Sequence, residues 1–106
     1  MTEQEKQLAV HFKSLLMQRL HNLDVIIFGS RARGEADADS DLDVLVLSAE
    51  PENAATRTFV SDCAWEAGLG SGVVIAPLLI GREQWQYGLE SVSLLAQAVR
   101  REGIPV

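Results

Sequence analysis

The sequence predicts an α/β sandwich in which a small mixed β-sheet is covered by helices. Three observations carry that prediction. The chain opens on an amphipathic helical pattern, it contains three short apolar runs rich in β-branched residues, and helical patterns lie between and after those runs with short connections. Thr2-Glu3-Gln4-Glu5 has the form of a capping box. Leu8, Phe12, Leu15, Leu16 and Leu20 follow at helical spacing, so the first helix is expected from about Thr2 to His21, with Asn22 ending it. Asp24 to Phe28 reads as a buried strand. Arg31 to Gly34 reads as a short helical turn, and the polar residues up to Ser40 as a loop. Leu42 to Leu47 is the second expected strand. Pro51 suits the first turn of a second helix running to about Ala67. Gly68, Gly70 and Gly72 make a flexible connection to the third strand, Val73 to Ile80, where Pro77 argues for a sheet edge or a bulge. Gly81 to Tyr87 reads as a short helical segment. Leu89 to Glu102 reads as the last helix, with Val92, Leu95, Ala96 and Val99 at core spacing and Gly103 as its stop. At 106 residues, with no internal repeat or linker, the chain is expected to form one domain over residues 1–106.

The chemistry concentrates between Gly29 and Leu47. Gly29-Ser30 follows the apolar run Val25 to Phe28, and a Gly-Ser turn at a strand end offers backbone N–H groups and a hydroxyl to phosphate. Asp41 and Asp43 stand at i and i+2 at the start of the second strand, which turns both carboxylates to one face. Side by side they repel and call for a shared cation. Carboxylate oxygens suit Mg²⁺, or Mn²⁺ in its place, with substrate phosphates completing the shell. A phosphate turn beside a carboxylate pair is the equipment of a metal-dependent enzyme acting on a nucleoside triphosphate. Other motifs fit worse. Gly34 is followed by Glu35-Ala36 rather than Lys-Ser or Lys-Thr, so there is no P-loop, and Arg31 breaks a dinucleotide fingerprint. Asp37, Asp39 and Asp41 open like a calcium loop, but Leu42 and Ser48 occupy its glycine and closing glutamate positions. Asp37 and Asp39 are therefore read as solvated loop acids. Arg31 and Arg33 flank the turn; each suits either a phosphate or a salt bridge to the loop acids, and Arg33 is taken as the phosphate-binding one.

Gly29-Ser30, the ten-residue gap and Asp41-Leu42-Asp43 resemble the G-S-x(10)-D-x-D signature of the polymerase-β-like nucleotidyltransferase superfamily. The signature covers about a fifth of the chain, and the small size resembles the minimal nucleotidyltransferase (MNT) group, whose members often pair with HEPN-domain toxins. The ending Arg100-Arg101-Glu102-Gly103-Ile104 is similar to how such domains close. The resemblance implies a polymerase-β-like core and Asp41 and Asp43 as catalytic metal ligands for Mg²⁺. It implies Gly29 and Ser30 as the grip on ATP. The implied reaction is transfer of AMP to a hydroxyl, on a HEPN toxin or on a small molecule such as an aminoglycoside. It also implies a third acid on a neighbouring strand. Val73-Val74-Ile75-Ala76-Pro77-Leu78 contains none, and Glu66 and Glu83 fall in helical patterns on either side. The alternative is a nucleotide- or partner-binding module with weak or no turnover. Alternation places Val73 and Ile75 on one face and Val74 on the other, so Val73 or Ile75 is the expected position for a restored acid.

Composition narrows the class. Hydrophobic residues make up 47% and charged residues 23%, an ordinary globular balance. No apolar run approaches the roughly 20 residues of a membrane span, and Met1 to Gln7 is unlike a secretory signal. The lone Cys63, read as a small core residue, fits a reducing compartment, and a cytoplasmic location is expected. The net charge of −6, with seven acids and no base between Glu35 and Glu52, argues against strong direct nucleic-acid binding. It leaves protein partners and an oligomer open. His11 and His21 pair with no other ligand by spacing, and Trp65 and Trp85 are expected in the core or an interface.

Overall fold

The computed structural model describes residues 1–88 and 92–106. It contains α1 (Glu3–Leu16), β1 (Asp24–Phe28), α2 (Gly29–Arg33), β2 (Leu42–Ser48), α3 (Ala54–Gly68), β3 (Ile75–Gly81), α4 (Arg82–Tyr87), α5 (Leu94–Glu102) and β4 (Ile104–Pro105). The four strands form one mixed sheet in the order β3-β2-β1-β4, with β1 antiparallel to both β2 and β4 and β2 parallel to β3 through the α3 crossover. The α/β sandwich expected from the sequence is the observed architecture.

Local chemistry explains most boundaries. Thr2 caps α1 with its hydroxyl on the Glu5 N–H (3.1 Å), while the Glu5 carboxylate returns to the Thr2 N–H (2.8 Å). The helix stops at Leu16 rather than His21. The chain tightens there into Arg19 and Leu20 N–H groups on the Leu16 carbonyl, at 3.1 and 2.9 Å, and Leu20 still reaches the core. Asn22, with φ of 49°, then reverses the chain into β1. Asn53, not Pro51, caps α3 through its side chain on the Thr56 N–H (2.9 Å). The expected start of the last helix at Leu89 lies outside the described residues. The described helix begins at Leu94 after Ser93 caps it, so Val92 precedes the helix and is exposed instead of joining the Leu95, Ala96 and Val99 stripe.

Strand alternation sorts the core into two layers. Val25, Ile27, Leu42, Val44, Val46 and Ile75 share one face and pack beneath α1 and α3, with Phe12, Leu16, Val60 and Cys63 among the partners. On the other face Leu45, Leu47 and Ile80 meet Trp85 of α4 and Ala96 and Val99 of α5. That second layer thins toward β3, where Ala76 is half-buried and Leu78 exposed, so the sheet face is open beside the start of β2. β3 is an edge strand, as Pro77 implied. The Leu42 N–H donates to the Val74 carbonyl (2.8 Å), which by alternation points the even residues of β3 at β2 and Pro77 outward. The missing proline N–H therefore costs no bond to β2.

Candidate active site

The site forms where β1 ends and β2 begins. Phe28, the last residue of β1, lies opposite Asp43 in the antiparallel ladder. The chain turns at Gly29, whose φ of 78° lies in the left-handed region. A side chain there is excluded twice: by that backbone, and because a Cβ would stand 3.2 Å from the Asp43 Cγ and closer to one carboxylate oxygen. The Gly29–Ser30 turn and the Asp43 carboxylate are thus immediate neighbours. Ser30 is half-buried within α2, and its carbonyl accepts the Glu35 N–H (2.9 Å) as the chain leaves the turn.

Asp41 directly precedes β2 and is exposed; Asp43 is its second residue and half-buried. Burial first, and then the charge of Asp41, push the Asp43 carboxyl above the ordinary carboxylate range, with Arg33 opposing them. This arrangement fits a cation with hard-oxygen preference. No group of three or more metal-ligating side chains exists among the described residues. Two carboxylates and the oxygens of a bound phosphate chain are a donor set that Mg²⁺ accepts.

The two arginines part company. Arg31 is engaged elsewhere: its Nε and Nη2 donate to the Ser40 carbonyl at 2.9 and 2.7 Å, and Nη1 reaches Glu5 Oε2 at 3.3 Å. Its acid comes from α1, not from the loop. Arg33 is more open, pairing with Glu35 (3.0 Å) and Glu102 (3.1 Å) while its charge reaches Asp43. In the loop, the Asp37 carboxylate accepts the Asp39 N–H (2.9 Å) and the Ser40 hydroxyl (3.2 Å), so Asp37 organises the turn while Asp39 faces solvent.

The register of β3 corrects one expectation. Asp43 pairs with Ala76 and Leu42 with Ile75, so Val74 stands beside Asp41. Val74 and Ala76 share the face of the carboxylates. Ile75 is buried under α3, and Val73 packs against the same core, so neither faces the site. The position that faces Asp43 from β3 is Ala76, a residue without a carboxylate. Glu66 lies on α3, across the sheet from the site, and Glu83 lies in α4, past the far end of β3. Of the remaining candidates, Cys63 and Trp85 are core, His11 is exposed, and exposed His21 pairs with Glu50 (2.7 Å). Trp65 is 73% exposed and belongs to no core. Two features had no local signal: the Ala76 register and the Arg31–Glu5 pair, whose partners are 26 residues apart in sequence.

A mixed sheet flanked by helices, with a Gly-Ser turn packed on one of two acids at the start of the next strand, fits a nucleotidyltransferase-type fold. The chain belongs to the nucleotidyltransferase domain family, whose model matches residues 9–96. Among solved structures it is similar to a toxin–antitoxin crystallised with AMP-PNP, at 23% identity and a TM-score of 0.61, over 92% of this chain and 70% of that one. It is also similar to a variant of the MntA–HpeT toxin–antitoxin, at 22% identity and a TM-score of 0.58, over 98% of this chain and 72% of that one. At these identities the likeness is one of fold. No curated protein has a matching sequence. No described helix is long and apolar enough to cross a membrane.

Proposed function

We propose that this chain is a minimal nucleotidyltransferase that binds ATP with Mg²⁺ and transfers AMP to a hydroxyl group of a partner protein. The observation that carries the reading is the packing of Gly29 against the Asp43 carboxylate, which supports a phosphate grip at the turn beside a metal ligand at Asp43. In this reading the Gly29–Ser30 backbone and the Ser30 hydroxyl hold triphosphate oxygens, Arg33 meets them from α2, and Asp41 and Asp43 hold the ion. Mg²⁺, or Mn²⁺, supplies charge neutralisation on the triphosphate and a more acidic acceptor hydroxyl. In the transfer the acceptor oxygen bonds to the α-phosphorus, the bond to the bridging oxygen breaks, pyrophosphate leaves and the hydroxyl proton passes to solvent.

A protein partner is supported by an exposed apolar surface at the sheet edge, on the α3 side of β3, that reaches toward the acids only through Val74. Trp65, Leu69 and Val74 are exposed along a groove of about 470 Å³ between α3 and β3, and Val74 adjoins Asp41. The similar structures are of toxin–antitoxin complexes, one holding AMP-PNP. The proposed partner is accordingly a HEPN-domain toxin, with this chain as its cytoplasmic antitoxin. A second reading, nucleotide binding without turnover, is favoured by one observation: Ala76 stands where a third carboxylate would complete the acid set.

Calorimetric titration of ATP with Mg²⁺ tests the site. Asp41→Asn and Asp43→Asn each remove one charge from the shared ion, and each should weaken Mg²⁺-dependent binding by about tenfold or more. Unchanged affinity in both variants would refute the assignment. Pyrophosphate release with a HEPN partner present separates transfer from binding alone.

A further inference from the structure

We infer that Arg31 is a positioning residue which fixes the span between the phosphate turn and the acid pair, with Glu5 of α1 as its anchor. The inference rests on the nucleotide-binding reading above. Arg31 follows Ser30 directly in α2, and the carbonyl it grips belongs to Ser40, whose peptide bond leads into Asp41. One side chain therefore joins the two halves of the site across a segment, Glu35 to Ser40, that has no regular secondary structure. The β1–β2 ladder joins the halves on the Phe28–Asp43 side; on the Ser40–Asp41 side Arg31 adds a side-chain link to that of the loop.

The contacts leave the guanidinium little freedom. Two of its nitrogens converge on one carbonyl oxygen and a third reaches Glu5 Oε2, and both side chains are nearly buried, at 11% and 6% exposure. Glu5 is itself fixed, because its other oxygen accepts the Thr2 N–H at 2.8 Å. From the loop side, the Ser40 N–H donates to the Asp37 carbonyl (3.2 Å), so the gripped carbonyl belongs to a closed turn. A buried Arg–Glu pair is a poor source of net stability, since desolvation offsets its attraction. What a planar fork supplies is direction: it fixes a carbonyl in a way that an ammonium point charge does not. A ligand that bridges phosphate turn and carboxylates needs that spacing held within a fraction of an ångström.

The consequence is a specific energetic signature. Arg31 should govern the coupling between metal and nucleotide rather than either affinity alone. The coupling is the ratio of the ATP dissociation constants measured in EDTA and in Mn²⁺. Arg31→Lys keeps a cation but loses the fork, and Glu5→Gln keeps the helix cap but loses the anchoring charge. Each should lower the ratio by about fivefold or more, with metal-free ATP affinity near that of the native chain. Thr2→Ala removes the cap oxygen and leaves the backbone N–H on Glu5; it should reduce thermal stability and leave the ratio unchanged. If Arg31→Lys does not fold, Glu5→Gln decides. An unchanged ratio in the folded anchor variants, or an equal fall in Thr2→Ala, would overturn the positioning role while the site reading stands. Absence of any coupling in the native chain would overturn the site reading, and the positioning role with it.

Discussion

At the scale of single residues the acid pair works against the fold. Asp43 sits half-buried beside Asp41 and against Gly29, and its carboxyl is held above the ordinary range by burial and by that neighbour. A carboxyl whose folded pKa is raised weakens the fold at pH values above its unfolded pKa. Asp43→Asn should therefore raise the thermal midpoint of the ligand-free protein while it weakens Mg²⁺-dependent ATP binding; a lowered midpoint would show that the carboxylate has a structural role. The two residues of the Gly29–Ser30 turn should differ from each other in what they lose. Ser30→Ala should lower ATP affinity by about tenfold with thermal stability retained. A lower midpoint with unaltered affinity would make Ser30 structural. Gly29→Ala places a Cβ against the Asp43 carboxylate in a left-handed backbone, and should cost about 1–2 kcal/mol of stability together with nucleotide binding, read by chemical denaturation and calorimetry.

At the scale of elements, the register of β3 decides what the site lacks. Ala76→Asp places an acid beside Asp43 on the open face. It should raise pyrophosphate release by about 10²-fold when metal and acceptor are present. Ile75→Asp buries its carboxylate beneath α3 and should unfold the domain instead, which circular dichroism would report. A gain of rate from Ile75→Asp, with none from Ala76→Asp, would contradict the register. Period-two alternation groups Val73 with Ile75 and Val74 with Ala76, but it cannot say which group faces Asp43, because that depends on a pairing made through the α3 crossover. The same limit explains β4. Ile104–Pro105 is too short to carry a period and becomes a strand only by pairing with β1. Asp41, Asp43, Gly29 and Ser30 stood out as candidates because their pattern is local, an i, i+2 pair and a turn at a strand end, and the structure packs Gly29 on Asp43. The end of β2 offers a further test. Hydrogen bonds from the Ser48 hydroxyl and from the His21 backbone and ring outweigh burial and hold the Glu50 carboxyl at about 2, below its ordinary value. The stabilisation is present above the unfolded carboxyl pKa of about 4.3 and is lost as pH falls toward the folded value. Glu50→Gln should lower stability near neutrality and flatten acid unfolding across that window, measured by pH-dependent denaturation.

At the scale of the whole molecule, the sheet divides labour between its faces. One is sealed by α1 and α3. Among the described residues, α4 and α5 close the other only over part of its width, and the acids, Ala76 and Leu78 border the part they leave. The net charge of −6 opposes a polyanion, so under the proposed function a cation at Asp41 and Asp43 would be a condition of entry as much as of chemistry. The free edge of β3 carries a different consequence. An open edge beside exposed Trp65, Leu69 and Val74 is a template on which further copies could stack into an aggregate. Pro77, with its ring nitrogen turned outward, breaks that template halfway along, so a strand from another molecule meets a missing donor and cannot zip past it. Pro77→Val restores the donor, and light scattering at rising concentration should then show polymerisation that the native chain resists; equal solubility would mean that charge alone guards the edge. The residue that breaks the regular pattern of the strand is thereby the molecule's protection against its own sheet.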